Sequence, residues 1–182
     1  MKEFYIFLAV LIILIILLII YYVYNQILWS KVNKPYAKGE FDNAIKMIDK
    51  VYPHAIFNSR KKLIVYKTSA ALMNNDEKLF LDTINLIDKK NKSYLVYYYY
   101  YYLAYYIIHD DFTKAESIYG ILTSKFHLTK EFDLITPLAI LAAQKGDSKA
   151  LKKLKDLKRK KHMDSTFLFV ANDYLRKHKR ND

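Results

Sequence analysis

The stretch FYIFLAVLIILIILLIIYYVY at positions 4–24 runs twenty-one residues without a charge. About twenty such residues, as a helix, cross a hydrocarbon core roughly 30 Å thick. Tyrosines sit near both ends, where the lipid–water boundary favours amphipathic rings. A cleavable signal peptide would have a shorter apolar region, about 7–15 residues, followed by a small-residue cleavage site. Here the run passes into YYVYNQILW, with no such site and no cysteine. An uncleaved anchor over residues 1–25 is therefore the expectation. Lys2 precedes the run, and Lys31, Lys34 and Lys38 follow it. The positive-inside bias then places the C-terminal part of a single-pass cell-membrane protein in the cytoplasm.

Beyond the anchor one phrase recurs. It is KGEFDNAIKMIDKVYP at 38–53, NNDEKLFLDTINLIDKK at 74–90, HDDFTKAESIYGILTSK at 109–125 and QKGDSKALKKLKDLKRK at 144–160. Each copy is a short polar turn and then a segment whose apolar residues recur at three and four, the period of a helix. Anchored on Ala44, Phe80, Ala115 and Ala150, the steps are 36, 35 and 35. A further apolar segment of helical length precedes each later turn. With only three glycines and three prolines in 182 residues, long helices are favoured over a turn-rich β fold. The unit is a pair of antiparallel helices, and a non-repetitive helical bundle is the competing architecture.

The pattern resembles the tetratricopeptide repeat, whose period is about 34 residues. Gly39, Phe41, Ala44, Ile45 and Pro53 carry the resemblance in the first copy, and Asp111, Phe112, Ala115 and Tyr119 in the third. Phe80 stands where a small residue is expected, the fourth copy lacks the aromatic after its turn, and the first helix of the first copy contains Pro35 and is expected to continue from the membrane helix. The expected fold is all-α: an N-terminal transmembrane helix, then about four repeats of a helix-pair solenoid over residues 26–161. A capping helix and basic tail over 162–182 complete it. In that last segment Ser165 is the candidate N-cap. Phe167, Leu168, Val170, Ala171 and Leu175 can cover the bare end of the stack.

Catalytic groupings are not evident. The glycines are too scattered to cradle a phosphate. The five histidines form no i, i+4 pair and have no cysteine beside them. His109-Asp110-Asp111 reads as a repeat turn with an aspartate capping the next helix. We expect a non-catalytic protein with no cofactor or metal. Formal charge is +12, which draws acidic partners. The densest basic run, at 149–162, places Lys152, Lys153, Lys155, Lys158, Arg159, Lys160 and Lys161 off an apolar stripe of Ala150, Leu151, Leu154 and Leu157. A solvated face is one reading and attraction to anionic lipid heads another. Nucleic acid ranks lowest, because no aromatics are interleaved for base stacking.

Residues 94–111, YLVYYYYYYLAYYIIHDD, remain. About fifteen uncharged residues are too few for a second span, and the tyrosine hydroxyls would lack partners in lipid. The register makes this the first helix of the third repeat. By the resemblance, Tyr99, Tyr102, Leu103 and Tyr106 pack between repeats. Tyr97, Tyr100, Tyr101 and Ala104 face a groove that also includes Lys61, Ile64, Thr68, Thr136 and Ile140. Some members of the family clamp a peptide's terminal carboxylate with lysine and asparagine; Tyr100 and Ala104 stand at matching sites here, so that activity is not expected. The function implied is an adaptor or scaffold that binds a protein or peptide near the bilayer. The alternative is an accessory subunit assembled through its transmembrane helix. Whether the tyrosines line an open groove or a core stays open at this level, as does the oligomeric state. A Lys-, Ile-, Tyr- and Asn-rich composition points to an AT-rich bacterial genome.

Overall fold

The computed structural model describes residues 2–56, 58–126, 132–159 and 164–178. Among these every regular element is helical: nine α-helices and one short 3-10 turn, Tyr52–His54. The chain divides into two compact units, Met1–Leu63 and Ile64–Asp182, with the division falling inside one helix.

The first unit holds α1 (Lys2–Ala37), α2 (Phe41–Val51) and the start of α3 (Asn58–Met73). α1 is one continuous helix of 36 residues, about 54 Å long at 1.5 Å per residue. It is long and apolar enough to cross a membrane, and none of its most apolar window is buried. The large apolar side chains at positions 4–24 are 37–66% exposed. Burial begins only at Leu28 and Val32, four residues apart and so on one face. There α1 meets Ala44, Ile48 and Val51 of α2. Pro35 does not break the helix: it lies in the last turn, and its carbonyl accepts the N–H groups of Lys38 and Glu40 at 3.2 and 3.0 Å. The Tyr24 hydroxyl donates to the His54 carbonyl at 3.0 Å, and Ser59 donates to Asn25 Oδ1 at 2.8 Å. One helix thus carries both the apolar run and one wall of a helix pair.

The second unit continues α3 and adds α4 (Glu77–Ile84), α5 (Lys92–Ile108), α6 (Phe112–Lys125), α7 (Ile135–Gln144), α8 (Ser148–Arg159) and α9 (Ser165–Lys177). α5 packs on α6, α7 packs on α8, and α6 touches α7.

Four turns share one geometry. In each, a residue in the left-handed region ends a helix: Gly39 (φ 73°), Asn75 (55°), Asp110 (59°) and Gly146 (89°). The following N–H reaches back five residues, from Glu40 to Pro35, Asp76 to Ala71, Asp111 to Tyr106 and Asp147 to Ala142, at 2.9–3.2 Å. The left-handed residue itself donates three residues back, to Tyr36, Leu72, Ile107 and Ala143. These two bonds form the Schellman closure, which satisfies carbonyls that a helix end leaves open. In the last three turns the next aspartate caps the following helix, its carboxylate accepting from Leu79, Lys114 and Ala150. Glu40 makes no such bond.

The left-handed residues are 36, 35 and 36 apart. This register differs by one residue from the anchoring on Ala150. Leu151, not Ala150, donates to the Asp147 carbonyl as Ala44, Phe80 and Ala115 do to Glu40, Asp76 and Asp111. An added Cβ at Gly146 would meet nothing within 4 Å, so only backbone strain opposes a side chain there. Gly146→Ala is expected to lower stability by about 1–2 kcal/mol, read from the denaturation midpoint of the chain in neutral detergent.

α5 is the centre of the second unit. Tyr94, Val96, Tyr100, Tyr101, Leu103, Ala104 and Ile107 are buried, and every other residue from 94 to 108 is half-buried. A helix enclosed on all sides can be apolar all round, which accounts for nine tyrosines in eighteen positions. The enclosure is completed by α9, which returns from α8 to pack on α5 and α7 as well as on α8 itself.

Candidate partner-binding surface

The residues assigned to a groove lie in both units. Lys61 belongs to the first, where it is half-buried. In the second, Thr68 sits on α3, Tyr97, Tyr100, Tyr101 and Ala104 on α5, and Thr136 and Ile140 on α7. Thr68, Tyr100, Tyr101, Ala104, Thr136 and Ile140 are all buried. Ile64 and Tyr97 are half-buried and packed against the same core. Of the two possibilities left by the sequence, a groove or a core, this side of α5 is core. Of the residues meant to pack between repeats, Leu103 is completely buried, while Tyr99, Tyr102 and Tyr106 keep partial exposure. Two groups cover the groove side: Phe167 of α9 packs on Tyr100, and Phe132, just before α7, packs on both Tyr97 and Tyr100.

α9 is seated by an apolar stripe and polar ties. Phe167, Val170 and Ala171 are completely buried and Tyr174 nearly so, while Leu175 is half-buried and Leu168 exposed. The Phe167 ring stands edge-on to Tyr100 at 5.0 Å, and Tyr174 edge-on to Phe112 at 6.3 Å. Thr166 and Ser69 of α3 share a hydrogen bond at 3.5 Å. Lys177 donates to the Ile108 carbonyl and is 3.4 Å from Asp110. The helix is capped by Asp164, not Ser165: the Asp164 carboxylate accepts the Phe167 N–H at 2.8 Å.

Tyr100 joins three elements. Its hydroxyl donates to the Asp164 carboxylate and accepts the Asp133 N–H at 3.1 Å. Asp133 in turn caps α7, accepting from the N–H groups of Ile135 and Thr136 at 3.0 Å. One phenol therefore links the starts of α7 and α9, while its ring packs on Phe132 and Phe167. Burial pushes the Asp164 carboxyl above its usual range, against the opposing pull of backbone N–H donors. Neither Asp133 nor Asp164 was visible as a partner of Tyr100 in the sequence, being 33 and 64 residues away.

On the other side of α5, Phe80 stacks on Tyr105 at 5.0 Å and stands edge-on to Tyr102 at 6.0 Å. The Tyr105 hydroxyl donates to Glu77 at 2.5 Å. That bond, with some burial, pushes the Tyr105 phenol up to about 12; burial first, then Tyr98, raises Tyr102 to about 12. A phenol that holds its proton more tightly in the folded state stabilises the fold below its unfolded pKa, about 10. This contribution is lost as pH rises towards 12. Helical circular dichroism is expected to persist to about pH 10 and to fall between 10 and 12, together with late phenolate absorbance. Glu77→Gln should move the Tyr105 fraction of that absorbance to lower pH.

Of the basic surface, Lys152, Lys153, Lys155, Lys158 and Arg159 are exposed on α8, opposite buried Ala150 and Leu154. Lys160 and Lys161 lie outside the described residues. Among the described residues, no three His, Asp or Glu side chains converge on a point that could hold a metal. Comparison with protein-family models, with curated proteins and with solved structures returns no match.

Proposed function

We propose that this chain is a membrane-anchored adaptor of tetratricopeptide-repeat-like build, non-catalytic, which holds a protein or peptide partner near the bilayer. A single span would fix it in the cell membrane, with the helical domain in the cytoplasm. The recurrence of one turn, Schellman closure and capping residue every 35–36 residues supports the repeat reading. A helix exposed along an apolar run of membrane-spanning length supports the anchor. Tethering raises the effective concentration of the domain at the surface.

One observation supports a helical partner. The α5 wall already accepts a helix, α9, through Phe167, Val170, Ala171 and Tyr174. Exposing those four side chains costs on the order of 5–10 kcal/mol. A partner that used this wall would have to supply similar apolar area, as an amphipathic helix taking the place of α9. A photoreactive residue at Tyr97, half-buried beside the wall, is expected to capture a partner in membranes.

The second reading is an accessory subunit joined through its span. The exposure of every large apolar side chain at 4–24 favours it. A photoreactive residue at Ile12 tests it in parallel, and capture from Ile12 alone would reject the adaptor reading.

A further inference from the structure

Between α8 and α9 lies a cavity of about 540 Å³. Leu151 and Leu175 give it an apolar lining, and Lys155, Lys158, Arg159 and Arg176 bring cations from both helices. Among the described residues that line it, none is acidic. The acidic residue of α9, Asp173, pairs with Arg176 at 2.6 Å and with Lys177 at 3.0 Å. We propose that this cleft binds the headgroup of an anionic phospholipid, the cationic side chains taking the phosphodiester and the leucines meeting the glycerol and first acyl carbons.

Hydrogen-bonding capacity favours this occupant. Lysine and arginine side chains donate and cannot accept, so among the described lining residues only the Asn172 amide and the His178 ring bring side-chain acceptors. A phosphodiester is made of acceptors and needs nothing else. An extended peptide would present backbone N–H groups with few partners. An acidic amphipathic helix satisfies its own backbone but spreads its carboxylates along its length, about 5.4 Å per turn, whereas a phosphodiester gathers its acceptor oxygens on one phosphorus. Small-molecule sites of roughly 300–1,000 Å³ span the observed size. The proposal deepens the membrane part of the function above and rests on it only for the source of the lipid.

The full chain in neutral detergent, mixed with a photoactivatable phosphatidylglycerol, provides the test, with crosslinked residues mapped by mass spectrometry. Crosslinks are expected on α8 and α9 around Leu151 and Leu175. Lys158→Glu/Arg159→Glu should lower their yield roughly tenfold or more, since two basic contacts are lost. Lys152→Glu/Lys153→Glu makes the same change of charge outside the lining and should alter the yield less than about twofold. Retained helical circular dichroism qualifies each variant, and Lys158→Gln/Arg159→Gln replaces a charge-reversed pair that fails to fold. Equal capture of photoactivatable phosphatidylcholine, or equal loss with both charge-reversed pairs, would overturn the proposal. So would full competition by inorganic phosphate, or preferential occupation by a Glu-rich helical peptide. None of these outcomes depends on capture from Tyr97 or Ile12, so this idea and the adaptor reading fail separately.

Discussion

Phe167→Ala is expected to lower the stability of the second unit by about 3–5 kcal/mol, the largest loss of any single truncation on α9. The ring is fully buried and packs edge-on against Tyr100. Its backbone N–H receives the Asp164 cap. Removing the ring leaves a cavity next to the phenol that links the starts of α7 and α9. The effect should be read as a fall in the denaturant midpoint with an unchanged slope. Leu168→Ala, one residue along but exposed, should cost less than about 1 kcal/mol. Equal losses at the two positions would mean that α9 is not seated as described.

Phe80→Ala should be comparably severe, at about 3–5 kcal/mol. This result runs against the repeat pattern, which expects a small residue at that place. The ring is fully buried, stacked on Tyr105 and edge-on to Tyr102. Alanine would bring the second copy closer to the first and third, which have Ala44 and Ala115 there, yet would empty a site that α5 fills with rings. Aromatic pairs of this kind contribute about 0.5–1.5 kcal/mol beyond area burial. A variant as stable as the parent would show that the α4–α5 packing is wrong.

Much of the helical order was legible because it is written locally. Gly39 and Gly146 mark left-handed positions outright, and Asp76, Asp111 and Asp147 stand where a cap is needed. Asn75 and Asp110 adopt the same conformation without being glycine, which short polar side chains tolerate. The exact register of the fourth copy was less legible, because Ala150 and Leu151 are adjacent and both suit a buried face. The turn hydrogen bonds separate them.

The fate of the tyrosine helix was not legible, for a different reason. Its composition shows that it is covered on many sides, but not by what. Tyr100 meets Asp133 and Asp164 across separations that no periodicity encodes. The apolar stripe of α9 was readable, whereas its choice of α5 and α7 in addition to the end of the stack was not. Tyr174, buried with that stripe, was overlooked because it lies three residues past Ala171 within a polar-looking NDYLRK sequence.

The proposed exchange of α9 for a partner helix on the α5 wall is tested directly by one pair of positions. Ser69 and Thr166 have their hydroxyl oxygens 3.5 Å apart, and the chain has no cysteine. Ser69→Cys/Thr166→Cys should therefore form one disulfide that pins α9 to α3. Partner capture from a photoreactive residue at Tyr97 is then measured in membranes, before and after reduction. Exchange predicts that the oxidised chain captures nothing and that reduction restores capture. Equal capture in the two states would contradict it, because a partner that binds while α9 is pinned does not use that wall.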